Sequence, residues 1–147
     1  MGFGGIERLV YDLVLLQNQR KKFNVSIGAA KANGEFQNQY KLLGDQLKDF
    51  NLNSGFDINP FKINSIYSFF KKNDIIHLHG FHITIVLAAV LSGKKIIYTE
   101  HGNFAFGRKI KFMDRLSLLM RKFFFKFSNT LICCNSVFTM NYVSRNF

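Results

Sequence analysis

Histidines dominate the part of this sequence that is best suited to chemistry. The stretch from Asp74 to His82 reads DIIHLHGFH, with three histidines in six residues, and a second segment, TEHG, carries His101. Alternate residues of a strand project to the same side, so His77 and His79 are expected to share one side of a sheet. Imidazoles in this arrangement fit either a metal site or the rim of a ligand-binding crevice.

A metal site is the first interpretation. Metallo-β-lactamase-like hydrolases use the pattern His-x-His-x-Asp-His, and Phe81 stands where that pattern requires aspartate. Glu100, beside His101, is the one carboxylate nearby that offers a substitute. Because zinc and iron sites need three or four well-placed ligands, we predict no metal ligands and no cofactor. A metal-dependent hydrolase stays as the third-ranked function.

The second interpretation places HLHG and TEHG at the carboxyl ends of two parallel strands. Ligands of open α/β sheets bind in the crevice outside those ends, so His79-Gly80 and His101-Gly102 are expected to form paired turns at one rim. An imidazole there can donate a hydrogen bond to a phosphate or a sugar hydroxyl, or transfer protons near neutral pH. His77 is predicted to be a core histidine bonded to the backbone.

A glycine turn lies near the N-terminus, in MGFGGIE. Gly4 and Gly5 supply backbone that can approach a ligand closely, with free N–H groups at a helix start. The turn is not the dinucleotide fingerprint, because Glu7 stands where GxGxxG requires its third glycine. A purely structural turn is the alternative, and a carboxylate at Glu7 is also favoured by the helix dipole.

Strands alternating with helices position these residues. A helix is predicted from Gly5 to about Arg20 and a short strand over Phe23–Ala30, followed by a loop with one short helix over residues 31–56. From Pro60 the pattern gives a helix, the strand DIIHLH, a buried helix ITIVLAAVLSG, and the strand KKIIYTEHG. A helix from about Lys109 to Phe127, the strand TLICC and a helix from about Val137 complete the chain. The expected fold is α/β and Rossmann-like, with a mainly parallel sheet and helices on both faces.

The chain of 147 residues matches the size of one domain. No strand precedes the first helix, although the first strand of such folds lies centrally in the sheet, so we expect a fragment of a two-domain protein. Two adjacent cysteines without a CxxC motif favour a reducing cytoplasm. No apolar run is long enough to span a bilayer. The net charge of +11 would suit nucleic acid, an anionic membrane surface or a phosphorylated substrate. A composition that simply reflects an AT-rich genome is the alternative.

That charge is concentrated in RKIKFMDRLSLLMRKFFFKF, residues 108–127, where seven basic residues stand against one acidic residue. At 100° per residue, the basic stripe contains Arg108, Lys111, Arg115, Lys122 and Lys126. The stripe is flanked by Leu118 and Phe125. The face predicted to pack on the sheet contains Phe112, Leu116, Leu119, Phe123 and Phe127.

Such a helix is typical of one that lies on the anionic leaflet of a membrane, which would make the protein peripheral to the inner face of the cell membrane. A solvated basic face on an ordinary core-packed helix is the alternative. No DNA- or RNA-binding motif accompanies the charge, so nucleic acid is not an expected partner.

Four segments, GGIERLVYDL, DIIHLHGFH, KKIIYTEHG and SNTLICCNSVFT, occur in this order. Together they resemble the N-terminal half of family 4 glycosyltransferases, which have the GT-B fold. The resemblance extends from Gly4 to about Ser144. It implies a retaining enzyme that transfers a hexose-type sugar from a nucleotide-diphosphate sugar to a cell-envelope glycan or lipid-linked acceptor, in polysaccharide biosynthesis.

The resemblance also implies roles for individual residues. His101 matches the family's strand-end histidine that faces the transferred sugar, and is the expected catalytic residue. Gly4 and Gly5 match the glycine turn near the donor diphosphate and the acceptor, and Glu7 the acidic residue after it. The polar residues that follow the last strand of this half are matched by Asn135 and Ser136.

The resemblance leaves out the family's C-terminal half, which carries the charges that stabilise a departing nucleotide diphosphate. The isolated chain is therefore expected to be inactive and to need that missing domain as a partner. A non-catalytic domain that binds an acceptor or a partner protein is the main alternative function.

Overall fold

The computed structural model describes residues 5–32, 37–42, 46–53, 58–102 and 112–146. The chain divides into two compact units, residues 1–54 and 55–147, and every strand pair described is parallel. The predicted α/β class with a parallel sheet is confirmed. Three predicted site residues, Gly4, Arg108 and Lys111, lie outside the described residues.

The first unit contains a helix–strand–helix–strand sequence with a two-stranded sheet. Its elements are α1 (Gly5–Arg20), β1 (Ile27–Ala29), α2 (Gln37–Lys41) and β2 (Leu47–Asp49). Helix α1 has the predicted bounds, whereas β1 is shorter than the predicted strand over Phe23–Ala30. The expectation of only a loop and a helix over residues 31–56 is wrong, because β2 adds a strand that pairs with β1.

A small apolar cluster holds the first unit together. Val14 of α1, Ile27 of β1 and Tyr40 of α2 are buried against one another. The Tyr40 hydroxyl donates a 2.6 Å hydrogen bond to the carbonyl oxygen of Glu7 in α1. Burial raises the pKa of Tyr40 to about 12, because the apolar surroundings disfavour a phenolate.

The second unit has a three-stranded parallel sheet in the order β3-β4-β5. Its elements are α3 (Pro60–Lys71), β3 (Ile75–Leu78), α4 (Ile83–Ser92), β4 (Lys95–Glu100), α5 (Phe112–Lys126), β5 (Thr130–Cys134) and α6 (Val137–Asn146). All of these elements agree with the sequence-based expectation in type and order. Along the chain α4 lies between the parallel strands β3 and β4, and α5 between β4 and β5, as in βαβ units.

Local sequence explains where α3 and α4 begin and end. Asn59 is the N-cap of α3, and its side chain accepts hydrogen bonds from the N–H groups of Phe61 and Lys62, with Pro60 in the first turn. Gly93 ends α4 in a left-handed conformation with φ of 67°, which glycine adopts without steric cost. The predicted closure of α4 by Gly93 is confirmed.

The two sides of the three-stranded sheet differ in burial. On one side Ile76, Leu78, Ile96 and Tyr98 are buried. On the other side Ile75 and Leu131 are more than half exposed. The residues of β3 and β4 therefore alternate between a packed side and a more open side, and His77 belongs to the open one.

Helix α5 is rotated relative to the prediction. Its buried positions are Ser117, Arg121 and Phe125, so the expectation that Phe125 flanks an exposed stripe is wrong, and Leu118 is half-buried. Of the face predicted to pack on the sheet, four residues are more than 60% exposed: Phe112, Leu119, Phe123 and Phe127. Leu116 is half-buried.

The rotation has a physical cause. Arg121 extends to a buried carboxylate, Glu100, at the end of β4, and the helix face that carries Arg121 has to follow. Arg115, Lys122 and Lys126 of the basic stripe are exposed, and their contact with a membrane stays a prediction. Across the described part of the chain, helices that combine the length and the apolar character needed to cross a bilayer are absent.

Candidate functional site

Two imidazoles meet at the carboxyl ends of β3 and β4. His79 Nδ1 lies 3.2 Å from His101 Nε2, within hydrogen-bond distance. Because β3 and β4 are parallel and adjacent, the turns that follow them emerge at the same edge of the sheet. The predicted pairing of the His79-Gly80 and His101-Gly102 turns is therefore confirmed within the second unit.

His77 adds a third imidazole on the same side. Its ring centroid lies 4.0 Å from that of His79, as expected for alternate residues of one strand. The prediction of a core histidine bonded to the backbone is wrong: His77 is exposed, and its Nε2 lies 2.8 Å from the Thr99 hydroxyl. The reason is that β3 directs Ile76 and Leu78, not His77, to the packed side of the sheet.

These histidines are held neutral. Burial, together with the neighbouring His77 and His101, lowers the pKa of His79 to about 4. Although His77 is exposed as a residue, desolvation of its ring, which packs beside that of His79, lowers its pKa, as does His101. Burial also lowers the pKa of His101, where the nearby Glu100 carboxylate acts in the opposite direction. Near neutral pH a neutral imidazole offers one donor and one acceptor, so the pair can share one hydrogen bond and direct its remaining nitrogens elsewhere.

A buried ion pair supports the turn that carries His101. Arg121 Nη1 donates to Glu100 Oε2 at 2.7 Å, and these side chains are 1% and 3% exposed. The same nitrogen lies 3.0 Å from the Tyr98 hydroxyl, and burial raises the pKa of Tyr98 to about 12. Glu100 Oε1 accepts from the N–H of Gly102 at 3.1 Å. The carboxylate thus ties α5 to the residue that follows His101.

Gly102 connects this turn to the start of α6. Its φ is 80°, a left-handed conformation, and a Cβ added there would lie 2.9 Å from Thr139 Cγ2. Both features require glycine. Thr139 is buried, its hydroxyl lies 3.1 Å from Asn135 Oδ1, and its N–H donates to Ser136 Oγ at 3.2 Å. The predicted residues Asn135 and Ser136 therefore lie one contact away from the Gly102 turn.

A cleft of about 130 Å³ opens at this edge of the sheet. Its lining includes His79, Gly80, Phe81, Tyr98, Thr99, Glu100, His101, Ser117 and Arg121. Sequence reasoning did not predict five of these residues as site residues, namely Phe81, Tyr98, Thr99, Ser117 and Arg121, and it considered Glu100 only as a metal ligand. The signal that could have identified Arg121 is Glu100, because a carboxylate at the end of a buried strand needs a cation to balance it.

Within the described residues, no group of three or more histidine, cysteine, aspartate or glutamate side chains is arranged to hold a metal ion. His82 is buried and forms the N-cap position of α4. Cys133 and Cys134 are free thiols. The first unit holds Gly5 at the start of α1 and Glu7 in its first turn, and their expected role in ligand binding stays a prediction.

Comparison with known proteins identifies a family for this chain. Residues 3–147 match the family model described as Glycosyltransferase Family 4. Neither the curated proteins nor the solved structures gave a significant match. Because the match covers almost the whole sequence, the chain belongs to glycosyltransferase family 4 and corresponds to the N-terminal half of its enzymes.

Proposed function

We propose that this chain forms the acceptor-side half of a retaining glycosyltransferase. The enzyme moves a hexose-type sugar from a nucleotide-diphosphate sugar to a cell-envelope glycan or lipid-linked acceptor, in polysaccharide biosynthesis. The observation that carries the proposal is the His79–His101 pair, set at the carboxyl ends of two parallel strands in a domain of a glycosyltransferase family. His101 is the proposed catalytic residue.

The charge of the cleft supports a sugar as its ligand. The charged side chains that line it are Glu100 and Arg121, which neutralise each other at 2.7 Å. The lowered pKa values of His79 and His101 add no positive charge near neutral pH. A neutral cleft with hydrogen-bonding imidazoles and the Phe81 ring suits the hydroxyl groups and apolar face of a sugar better than it suits a diphosphate.

A consequence concerns the leaving group. Cleavage of a nucleotide-diphosphate sugar releases a diphosphate whose developing charge needs cations or aligned N–H groups. Because the cleft described here is neutral, we propose that a second, C-terminal domain supplies those charges in the complete enzyme. The roles of Gly4, Gly5 and Glu7 toward the donor belong to the same proposal. The two free thiols suit a reducing compartment, so the proposed location is the cytoplasm.

The test is sugar transfer by the intact protein that contains this chain. Nucleotide-diphosphate hexoses serve as donors and lipid extracts as acceptors, and transfer is followed with radiolabelled sugar. We expect His101→Ala to lower kcat by about 100-fold or more, the usual range for a group that transfers protons or orients a reacting hydroxyl. The isolated 147-residue chain is expected to show no sugar transfer.

His77→Ala is the matched control, because His77 lies in the same row of imidazoles but does not line the cleft. Its kcat is expected to stay within about threefold of the wild-type value, in contrast to the loss expected for the cleft histidine. Equal losses from His77→Ala and His101→Ala would contradict the assignment of His101. Sugar transfer by the isolated chain would contradict the need for a second domain.

A further inference from the structure

The outward face of α5 carries an unusual set of side chains. The exposed residues that the structure describes within this helix are of two kinds only, large apolar and basic. They are Phe112, Leu119, Phe123, Arg115, Lys122 and Lys126. The exposed fractions of the apolar three are 77%, 64% and 61%. Isolated exposed leucines are ordinary, but a contiguous apolar patch marks an interaction site.

The two kinds of residue are separated around the helix. At 100° per residue, the basic residues occupy one half of an outward arc of about 100° and the apolar residues occupy the other half. The face runs for about 20 Å along the axis. Lys126 also lies over the ring of Phe127, with its Nζ 6.0 Å from the ring centroid, and this phenylalanine is 68% exposed. Cations and aromatic rings thus lie side by side at the end of the helix.

We propose that this outward face of α5 docks on an anionic lipid surface. An anionic lipid surface is favoured by charge complementarity. The three cations of this face lie beside its three exposed apolar residues, and no acidic side chain is exposed among those described on the face. A helix with this pattern lies in the plane of the interface, with its apolar residues in the acyl boundary and its cations at the headgroups. This binding does not depend on sugar transfer and goes beyond the proposed function.

The inner face of α5 makes this docking possible without unfolding the unit. Arg121 and Phe125 anchor the helix from the opposite side, through Glu100 and through a ring contact with Tyr98 at a centroid distance of 4.8 Å. The outward residues therefore stay available while the helix stays in place. The apolar membrane contacts expected from sequence were Leu118 and Phe125. In this proposal the apolar contacts are instead Phe112, Leu119 and Phe123.

The experiment is vesicle binding by the 147-residue chain. Vesicles of phosphatidylcholine mixed with phosphatidylglycerol are compared with vesicles of pure phosphatidylcholine, at low and high salt. We expect binding to the anionic vesicles alone, and loss of that binding when salt screens the surface potential. Equal binding to both kinds of vesicle, or no binding to the anionic vesicles at low salt, would overturn the proposal.

Substitutions test the two halves of the face separately. Replacing Arg115, Lys122 or Lys126 by glutamine is expected to weaken binding about fivefold for each cation removed, or about 1 kcal/mol. Leu119→Gln and Phe123→Gln are each expected to weaken it about tenfold or more, because the apolar side chain no longer leaves water. Glutamine keeps a high helix propensity, so circular dichroism is expected to be unchanged.

Matched controls come from α3 of the same unit. Phe61 is 89% exposed and Lys71 is also exposed, so Phe61→Gln and Lys71→Gln repeat the chemical change away from α5. Both are expected to bind vesicles like the wild type. Controls that weaken binding as much as the α5 variants would overturn the proposal. The proposal would also be overturned if light scattering showed that the chain forms a dimer without vesicles and that Phe123→Gln abolishes this dimer. The outward face of α5 would then be a contact between two copies of the chain.

Discussion

Strand β4 ends at Glu100, and the residue that follows it, His101, faces different surroundings. Glu100 lies on the packed side and is 2% exposed, held by Arg121 and by the N–H of Gly102. His101, the next residue, is half-exposed and bonds to a second imidazole. Both side chains reach the same cleft.

The contrast distinguishes a residue that holds the turn in position from a residue that is suited to act on a substrate. A fully buried carboxylate with a cation at 2.7 Å has a fixed geometry, which suits a residue that holds a turn in position. A half-exposed neutral imidazole can change its hydrogen-bond partner when a ligand arrives, which suits a residue that acts on a substrate. If this division is correct, changes on the packed side act mainly on stability and changes on the open side act mainly on binding and titration.

The largest expected effect comes from breaking the buried ion pair. Arg121→Met leaves the Glu100 carboxylate buried without its cation and is expected to lower the free energy of unfolding by about 3–5 kcal/mol. The double variant Glu100→Leu/Arg121→Met removes both charges and is expected to recover most of that loss. Urea unfolding followed by tyrosine fluorescence measures both.

An exposed ion pair provides the control. Arg8 and Asp12 lie one helical turn apart in α1 at 2.9 Å, with side chains 66% and 53% exposed. Arg8→Met is expected to cost less than about 1 kcal/mol. If Arg121→Met cost no more than Arg8→Met, the Glu100–Arg121 pair would not be the support described here.

The second-largest expected effect on the free energy of unfolding comes from a comparison of two phenylalanines in α5. Phe125 is 7% exposed and packs on Tyr98, whereas Phe123 is 61% exposed. Phe125→Ala is expected to cost about 3–4 kcal/mol, because it opens a cavity against the sheet. Phe123→Ala is expected to cost less than about 1 kcal/mol. The two changes are chemically identical and lie in the same helix, so helix propensity cancels between them. The reverse order, measured by the same urea unfolding, would restore the orientation expected from sequence.

This comparison also shows where reasoning from sequence stops. The bounds of α1, the left-handed end of α4 at Gly93 and the shared side of His77 and His79 follow from local rules, and the structure agrees with each. Periodicity, glycine chemistry and strand alternation involve residues a few positions apart, so the sequence contains all that is needed.

The orientation of α5 follows from a contact between distant residues. Counting apolar side chains predicts that Phe123 faces inward, but Glu100 and Arg121, which are 21 positions apart, decide which face is buried. A buried carboxylate without a cation costs more than the exposure of several apolar side chains. Strand β2 was missed for another reason: its three residues, Leu47–Asp49, are too few for a pattern of alternation.

The smallest expected effect is on the open side, in the titration of the histidines. Burial and two neighbouring imidazoles lower the pKa of His79 to about 4, from an ordinary value of about 6.5. NMR of the imidazole Cε1–H signals is expected to show that His79 protonates at lower pH than His77 and His101. Because the unfolded chain takes up this proton at higher pH than the folded chain, the contribution of neutral His79 to stability is complete above about 6.5. It is lost as the pH falls toward about 4.

The matched variant is His79→Gln, which cannot titrate. Its free energy of unfolding is expected to decline less steeply than that of the wild type between those two pH values, and to follow the wild type in parallel above them. His77→Gln, at an exposed position of the same row, is expected to change the slope less. A wild-type His79 that titrates near its ordinary pKa would mean that the imidazole pair is open to water. The open side of the sheet would then be solvated at this edge, whereas Glu100 on the packed side is 2% exposed, so the imidazole pair would not be the desolvated site described here.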